Sequence, residues 1–317
     1  MRPALAQDDS ASMLARSRFR SGAETLAAFA PISAVVTNSI VEVNVDGDAV
    51  ALGTVVDAAG LVLTKASEIK PGKLTCWLAT GREVPAVRLA VDEDQDMALL
   101  RVRAEGLKPV RWAEGKSVIG AWAVTPALAE TPQAVGIISA LPRQIKPERA
   151  YIGISWFPEL SVPKVKGVLP GLGAEEAGIK PGDVITAVNN ELVTTRERIM
   201  EITRGLREGQ SVHLKLERDG QPFEVTIKLR VLKREEYIAS RNSLMTGETS
   251  RRADGFDQVI EHDTVIPPWL CGGPVMNLEG EAIGINIARA NRAATYALPA
   301  ELVQQIFATL KPAATNQ

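Results

Sequence analysis

Apolar residues recur with period two over most of this chain. The run Ser39-Ile40-Val41-Glu42-Val43-Asn44-Val45 alternates and then meets Asp46-Gly47-Asp48, the composition of a tight hairpin turn. Similar short runs follow at 50–56, 61–64, 74–78, 84–91, 97–102, 117–124 and 134–140, each bounded by turn residues. Strands at this spacing predict an all-β barrel or sandwich. Two stretches carry a helical period instead. Residues 21–31 predict a short helix ending at Pro31. Residues 299–310 predict a second helix, with Leu302, Val303, Ile306 and Leu310 on one face.

The texture changes near Pro147. Residues 151–231 combine strands with a Gly-rich turn and a helical stretch at 195–206. Two more strands, 211–217 and 223–229, flank Asp219-Gly220. A unit of about 80 residues can hold its own core. Residues 232–254 are charged and polar, as in Lys233-Arg234-Glu235-Glu236, and read as a linker or long loop. Strand patterning returns at 256–261, 282–288 and 294–298. The division that follows is a flexible segment 1–22, a discontinuous β domain over 23–148 and 255–317, an inserted module over 149–231, and the linker 232–254.

Composition narrows the function classes. Of 317 residues, 45% are hydrophobic and 23% charged, enough apolar material to exclude disorder as the main state. Lys and Arg number 36 against 38 Asp and Glu, so the net charge of −2 offers no basic face for nucleic acid and no polybasic membrane signal. No run of 18 apolar residues exists, so no membrane span is expected. Two cysteines, Cys76 and Cys271, exclude a disulfide scaffold, and two distant histidines, His213 and His262, leave no metal constellation. No cofactor motif is present. The start, Met1 to Gln7, ends in an Ala-x-Ala shape without the apolar stretch of a complete signal peptide.

Four segments carry a resemblance. Val50-Ala51-Leu52-Gly53-Thr54-Val55-Val56 followed by Gly60-Leu61-Val62-Leu63-Thr64-Lys65-Ala66-Ser67 resembles the strand-turn-strand that leads to the catalytic histidine of HtrA/Deg-type serine proteases. Asp94-Gln95-Asp96-Met97-Ala98-Leu99-Leu100 resembles their aspartate segment, and Val135-Gly136-Ile137-Ile138-Ser139-Ala140 a strand early in the second barrel. Cys271-Gly272-Gly273-Pro274 and Gly280-Glu281-Ala282-Ile283-Gly284-Ile285-Asn286 resemble the nucleophile loop and the strand after it. Within the insert, 173–185 with Val188-Asn189 resembles a bacterial PDZ domain. The resemblance implies a mostly β protein, a trypsin-like double β-barrel with an inserted α+β PDZ domain. Family members usually carry PDZ after the protease domain, whereas here it precedes the nucleophile loop. The resemblance also implies an extracytoplasmic setting, periplasmic or secreted.

The catalytic positions of that family fall on Ser67, Asp96 and Cys271. A serine hydroxyl in place of the histidine cannot take a proton near neutral pH. Cys271 is a better intrinsic nucleophile than serine but needs a nearby base or cation. His262 is the other residue able to supply one, nine positions earlier. The family has Gly-Asn before its serine, and here Trp269-Leu270 precedes Cys271 at the oxyanion loop. Cys76 alternates with Leu74 and Leu78 and reads as core.

In the PDZ-like unit the backbone amides of Ile152, Gly153 and Ile154 would cradle a peptide carboxylate, with Arg149 adding charge. Ile199 and Thr203 are expected on the groove wall. The expected function is a catalytically degenerate HtrA-like protein that binds polypeptides or protein C-termini as scaffold, adaptor or quality-control factor. One alternative is an endopeptidase using Cys271. Another is a structural subunit of an active HtrA-type protease; the expected partners are polypeptides or protein C-termini, with a homo-oligomer or an active HtrA-type protease as further candidates.

Overall fold

The computed structural model describes residues 15–147, 150–157, 159–204, 206–207, 209–231 and 247–315. Two helices, α1 (Ala23–Ala28) and α2 (Ala30–Val36), precede the first strand. The helix expected to stop at Pro31 does not stop there. Pro31 stands in the first turn of α2, where no intrahelical N–H is needed, so it starts a second helix. The described part of the expected flexible segment is tied down as well. Residues Arg16–Arg18 form a 3-10 turn, Ser17 Oγ donates to Glu24 at 2.7 Å, and Arg20 pairs with Asp263.

The alternating runs form a closed barrel of six strands: β1 (Ile40–Val45), β2 (Asp48–Asp57), β3 (Leu61–Lys65), β4 (Leu74–Leu78), β5 (Glu83–Asp92) and β6 (Met97–Val102), in the order β1-β2-β3-β6-β5-β4. Every residue of β3 is buried. Side-chain parity explains this. Val62 faces the interior of this barrel with Val41, Val55 and Leu100. Leu61 and Leu63 face outward into a second core with Met97 and Leu99. Lys65 shares the parity of Leu61 and Leu63, so β3 carries a lysine into that second core.

A second barrel begins with β7 (Trp122–Thr125) and β8 (Ala134–Ile145). The strand expected over 117–124 is shorter than its apolar run. Gly120 at φ +84° and the turn bond from Ala121 N–H to Val118 O hold residues before Trp122 out of the sheet.

The chain then leaves this unit, Met1–Ile145 with Arg241–Gln317, for a second compact unit, Lys146–Ser240. Strand β9 (Ala150–Tyr151) pairs with the unit's last strand; β10 (Ile154–Trp156) pairs with β11 (Val165–Val168). After the short helix α3 (Gly173–Glu176) come β12 (Val184–Val188), β13 (Glu191–Leu192), helix α4 (Arg196–Thr203), β14 (Ser211–Arg218), β15 (Gln221–Lys228) and β16 (Arg230–Val231). Thr195 caps α4, its side chain accepting from the Arg198 N–H at 3.3 Å. Ile152, Val165, Ile179, Ile185, Ile199 and Leu214 fill one core. Burial works against charge on Asp183, yet Arg218 at 2.7 Å and the Lys180 N–H hold its carboxyl below the ordinary range.

Four further strands complete the second barrel: β17 (Phe256–His262), β18 (Pro274–Met276), β19 (Ala282–Arg289) and β20 (Thr295–Pro299), in the order β17-β20-β19-β18-β7-β8. Helix α5 (Ala300–Thr315) runs past the expected end at 310. Its Val303, Ile306 and Leu310 pack with Leu61, Leu63, Phe256, Ile285 and Ile287, so one apolar cluster joins both barrels. Among the described residues, no helix is long and apolar enough to cross a membrane.

Candidate functional site

Parity brings Lys65 between the barrels, where it meets the first two positions singled out by the sequence. Its Nζ donates to Asp96 Oδ2 at 2.8 Å, to Ile287 O at 2.8 Å and to Arg252 O at 3.0 Å. Three acceptors require three protons, which only the ammonium form carries. Asp96 sits at φ +57° and receives two more bonds, from Ser67 N–H at 2.7 Å and Ser67 Oγ at 2.9 Å. Ser67 and Asp96 are therefore in direct contact, with the hydroxyl donating to the carboxylate. Lysine, serine and aspartate satisfy one another, and no free base is left among them.

Cys271 belongs to a different cluster. Its side chain is fully buried among Leu52, Leu270, Ile266 and Met276. Burial pushes its thiol up; Lys65, Ser250 and the Arg289 backbone offset part of this, and Glu68 adds to it. The polar neighbour of its Sγ is Ser250 Oγ at 3.7 Å. Pro268–Leu270 forms a 3-10 turn that begins on Pro267-Pro268, and the Cys271 N–H donates back to Pro268 O at 3.0 Å. That amide is the one a serine-type protease aims at the developing oxyanion. Here it is spent inside the turn. Leu270 is buried, and Trp269 is 38% exposed on the outside. Gly272, at φ +92°, backs onto the first barrel so closely that a Cβ would lie 2.0 Å from Leu52 O. Bonds from Leu52 N–H to Cys271 O and from Thr54 Oγ1 to Gly272 O fasten the loop there.

His262 does not approach Cys271 as a base. Its ring is fully buried, with Nε2 2.8 Å from Asn286 Oδ1 and Nδ1 2.5 Å from Thr264 Oγ1. With the Asn286 oxygen as acceptor, Nε2 carries the proton and Nδ1 accepts from the hydroxyl. Burial lowers the imidazole pKa to about 4, so the ring is neutral at ordinary pH. Cys76 lies in the first barrel's core, its thiol pushed up to about 12 by burial.

Sequence reasoning missed Lys65, and it read residues near 250 as linker. In fact Ser250 N–H donates to Arg289 O at 3.0 Å, and Arg289 N–H donates to Ser250 Oγ at 2.9 Å. Arg252 stacks on Phe256 with 4.9 Å from Cζ to the ring centroid, and its guanidinium donates to the carbonyls of Glu93, Asp94 and Gly255. Polar composition alone marked this segment as solvent-facing. The signal against that reading was Arg252 four residues before a buried aromatic.

In the second unit, Ile152 O and Gly153 O accept from Ala174 and Leu169 N–H groups. The N–H groups of Ile152 and Gly153 have no acceptor among the described residues. Gly153 lies at φ +92°, and a Cβ there would meet the Leu172 Cβ at 2.5 Å. Among the described residues strand β10 pairs on one side only, with β11, and Ile154, Ser155 and Trp156 are all half-buried. This is a free strand edge beside a turn of unpaired amides, the elements of strand addition by a peptide terminus. Ile199 is not on the groove wall, because its side chain is sealed in the core. Thr203 is half-buried, as is Ile202, and these two remain for the wall. Arg149 lies outside the described residues. Among the described residues no group of three His, Cys, Asp or Glu side chains is placed to hold a metal ion.

Residues 150–229 match the PDZ domain family. A Brucella suis protein named as a zinc metalloprotease is 30% identical over 86 residues, 27% of this chain and 22% of that protein. The periplasmic pH-dependent serine endoprotease DegQ of Escherichia coli is 37% identical over 65 residues, 20% of this chain and 14% of DegQ. The chain thus matches less than a quarter of the length of either relative. A serine endoprotease structure from Yersinia pestis aligns over 64% of this chain and 98% of its own, with 21% identity and a TM-score of 0.30. Residues 150–229 are thus a PDZ domain, set in a chain of two closed six-stranded barrels whose strand segments resemble those of HtrA/Deg-type proteases.

Proposed function

We propose that this chain is a catalytically degenerate HtrA-like protein whose working surface is the PDZ groove, where it takes polypeptides by their C-termini. It would serve as a scaffold, adaptor or substrate-holding factor in protein quality control, outside the cytoplasm as its relatives named periplasmic are. The observation that carries this reading is the saturated Lys65–Asp96–Ser67 cluster. At the base position the Ser67 hydroxyl is spent on Asp96, and the neighbouring Lys65 ammonium has no lone pair with which to take a proton. The inward-turned Cys271 amide removes a second requirement of acyl transfer.

Two measurements on the full chain test it. Casein turnover should not exceed that of a Cys271→Ala control, and turnover lost only in that control would favour the endopeptidase reading. Peptides with an apolar C-terminal residue should bind with micromolar affinity, about −8 kcal/mol. Amidating their termini should weaken binding, because the unpaired amides at Ile152 and Gly153 then lose the charge they face. Equal binding of free and amidated peptides would remove the carboxylate site.

A further inference from the structure

Strand register lines up a row of polar side chains inside the second barrel. His262 pairs with Thr295 across β17 and β20, and Thr295 pairs with Arg289 across β20 and β19. Asn286 pairs with Ala297, two residues from Thr295, so a bulge in β19 keeps Asn286 and Arg289 on the same face. His262 and Thr295 have their partners: Asn286 and Thr264 for the ring, and Thr264 O for the Thr295 hydroxyl.

Arg289 does not. It is 2% exposed, and its guanidinium donates once, from Nη2 to Arg292 O at 2.9 Å. Its Nε and Nη1 have no acceptor, and neither does the Asn286 Nδ2 on the same face. A guanidinium keeps its charge in any ordinary environment, and a buried charge without a counterion is strongly disfavoured. Among the described residues the chain's own anions do not supply one. Cys271 is nearby, but burial holds its thiol protonated. Glu68 also lies near Cys271, yet its Oε1 is itself buried without a partner and it makes no ion pair with Arg289. The Ser250 N–H bond to Arg289 O and the Arg289 N–H bond to Ser250 Oγ fix the strand end that carries this guanidinium.

We propose that Arg289, with the Asn286 amide beside it, binds a small carboxylate anion inside the second barrel. The class follows from the donors. Several N–H groups on one charged face call for an acceptor with about four lone-pair sites and one negative charge.

The test uses the full chain and sodium formate, with ionic strength held by a bulky sulfonate buffer. Formate should raise the unfolding midpoint in proportion to the logarithm of its concentration above its Kd, with the folded-to-unfolded ratio up about elevenfold at ten times its Kd. That rise should vanish in Arg289→Met, and an acidic tetrapeptide should produce none. A flat midpoint, a rise that survives in Arg289→Met, or a rise with the peptide instead of formate overturns the proposal. So does formate binding that emerges only in Glu68→Gln, which would make Glu68 the counterion. Should Arg289→Met fail to fold, line broadening of carbon-13 formate by the native wild-type chain decides. Broadening that acetate competes away and urea abolishes supports the site, and its absence overturns it.

Discussion

Among single residues, Lys65 and His262 set opposite electrostatic problems in the same unit. Lys65 is a buried charge with a complete set of partners. Taking it away leaves Asp96 buried and two carbonyls without a donor. Lys65→Met should therefore cost about 3–5 kcal/mol, read as a lower urea midpoint at unchanged m-value. Adding Asp96→Asn should recover part of that loss, since no buried charge is then unpaired. His262 is a buried neutral group whose pKa falls from 6.5 to about 4 on folding. Above pH 6.5 neither folded nor unfolded chain carries this proton, and the group contributes no pH dependence. Below it the unfolded chain takes up a proton that the folded chain refuses, so stability drops as pH falls toward 4, by about 3 kcal/mol in all. Comparing urea unfolding at pH 7.5 and pH 4.5 should show this component in the wild type and its loss in His262→Gln.

At the scale of elements, the Cys271 loop is held by its fit against β2. Gly272 combines a positive φ with a carbonyl of the other barrel 2.0 Å from where a Cβ would sit. Gly272→Ala has no cheap relief, because the obstacle is backbone. We expect a loss of at least about 2 kcal/mol, measured by urea unfolding, together with faster alkylation of Cys271 as the loop lifts. The same scale shows where periodicity misleads. An apolar run over 117–124 reads as one strand, but Gly120 turns the chain and leaves Val118 and Ile119 exposed. Pro31 reads as a stop and acts as a start, since proline blocks a helix only where its missing N–H is needed.

For the molecule as a whole, the PDZ domain is a unit with its own core, closed by the β9–β16 pair that brings its two ends together. Expressed alone, residues 149–231 should unfold in one cooperative transition by circular dichroism and urea titration. A gradual, non-cooperative loss of signal would mean that the core depends on the rest of the chain. The barrel unit is different. Its largest apolar cluster draws on β3, β6, β17, β19 and α5, so the two barrels share one core in addition to the first barrel's own interior cluster.

What the sequence by itself determined is what local spacing can encode. Period-two runs and their turns set the strands of both barrels; the segments around Ser67, Asp96 and Cys271 carried the resemblance to the HtrA type; the Gly-rich stretch at 173–185 marked the PDZ domain. Only the tertiary structure decided what those positions do. Lys65 is an ordinary strand residue in the sequence and becomes a buried cation because its parity points it between two barrels. Ser250 and Arg252 look like linker and become partners of β19 and the Asp94 turn, 39 and 158 residues away. His262 looks like a spare base and is instead tied to Asn286 and Thr264. In each case the deciding partner is far away in sequence, and hydrogen-bond saturation in a buried site is a property of all the partners together, which no local pattern records.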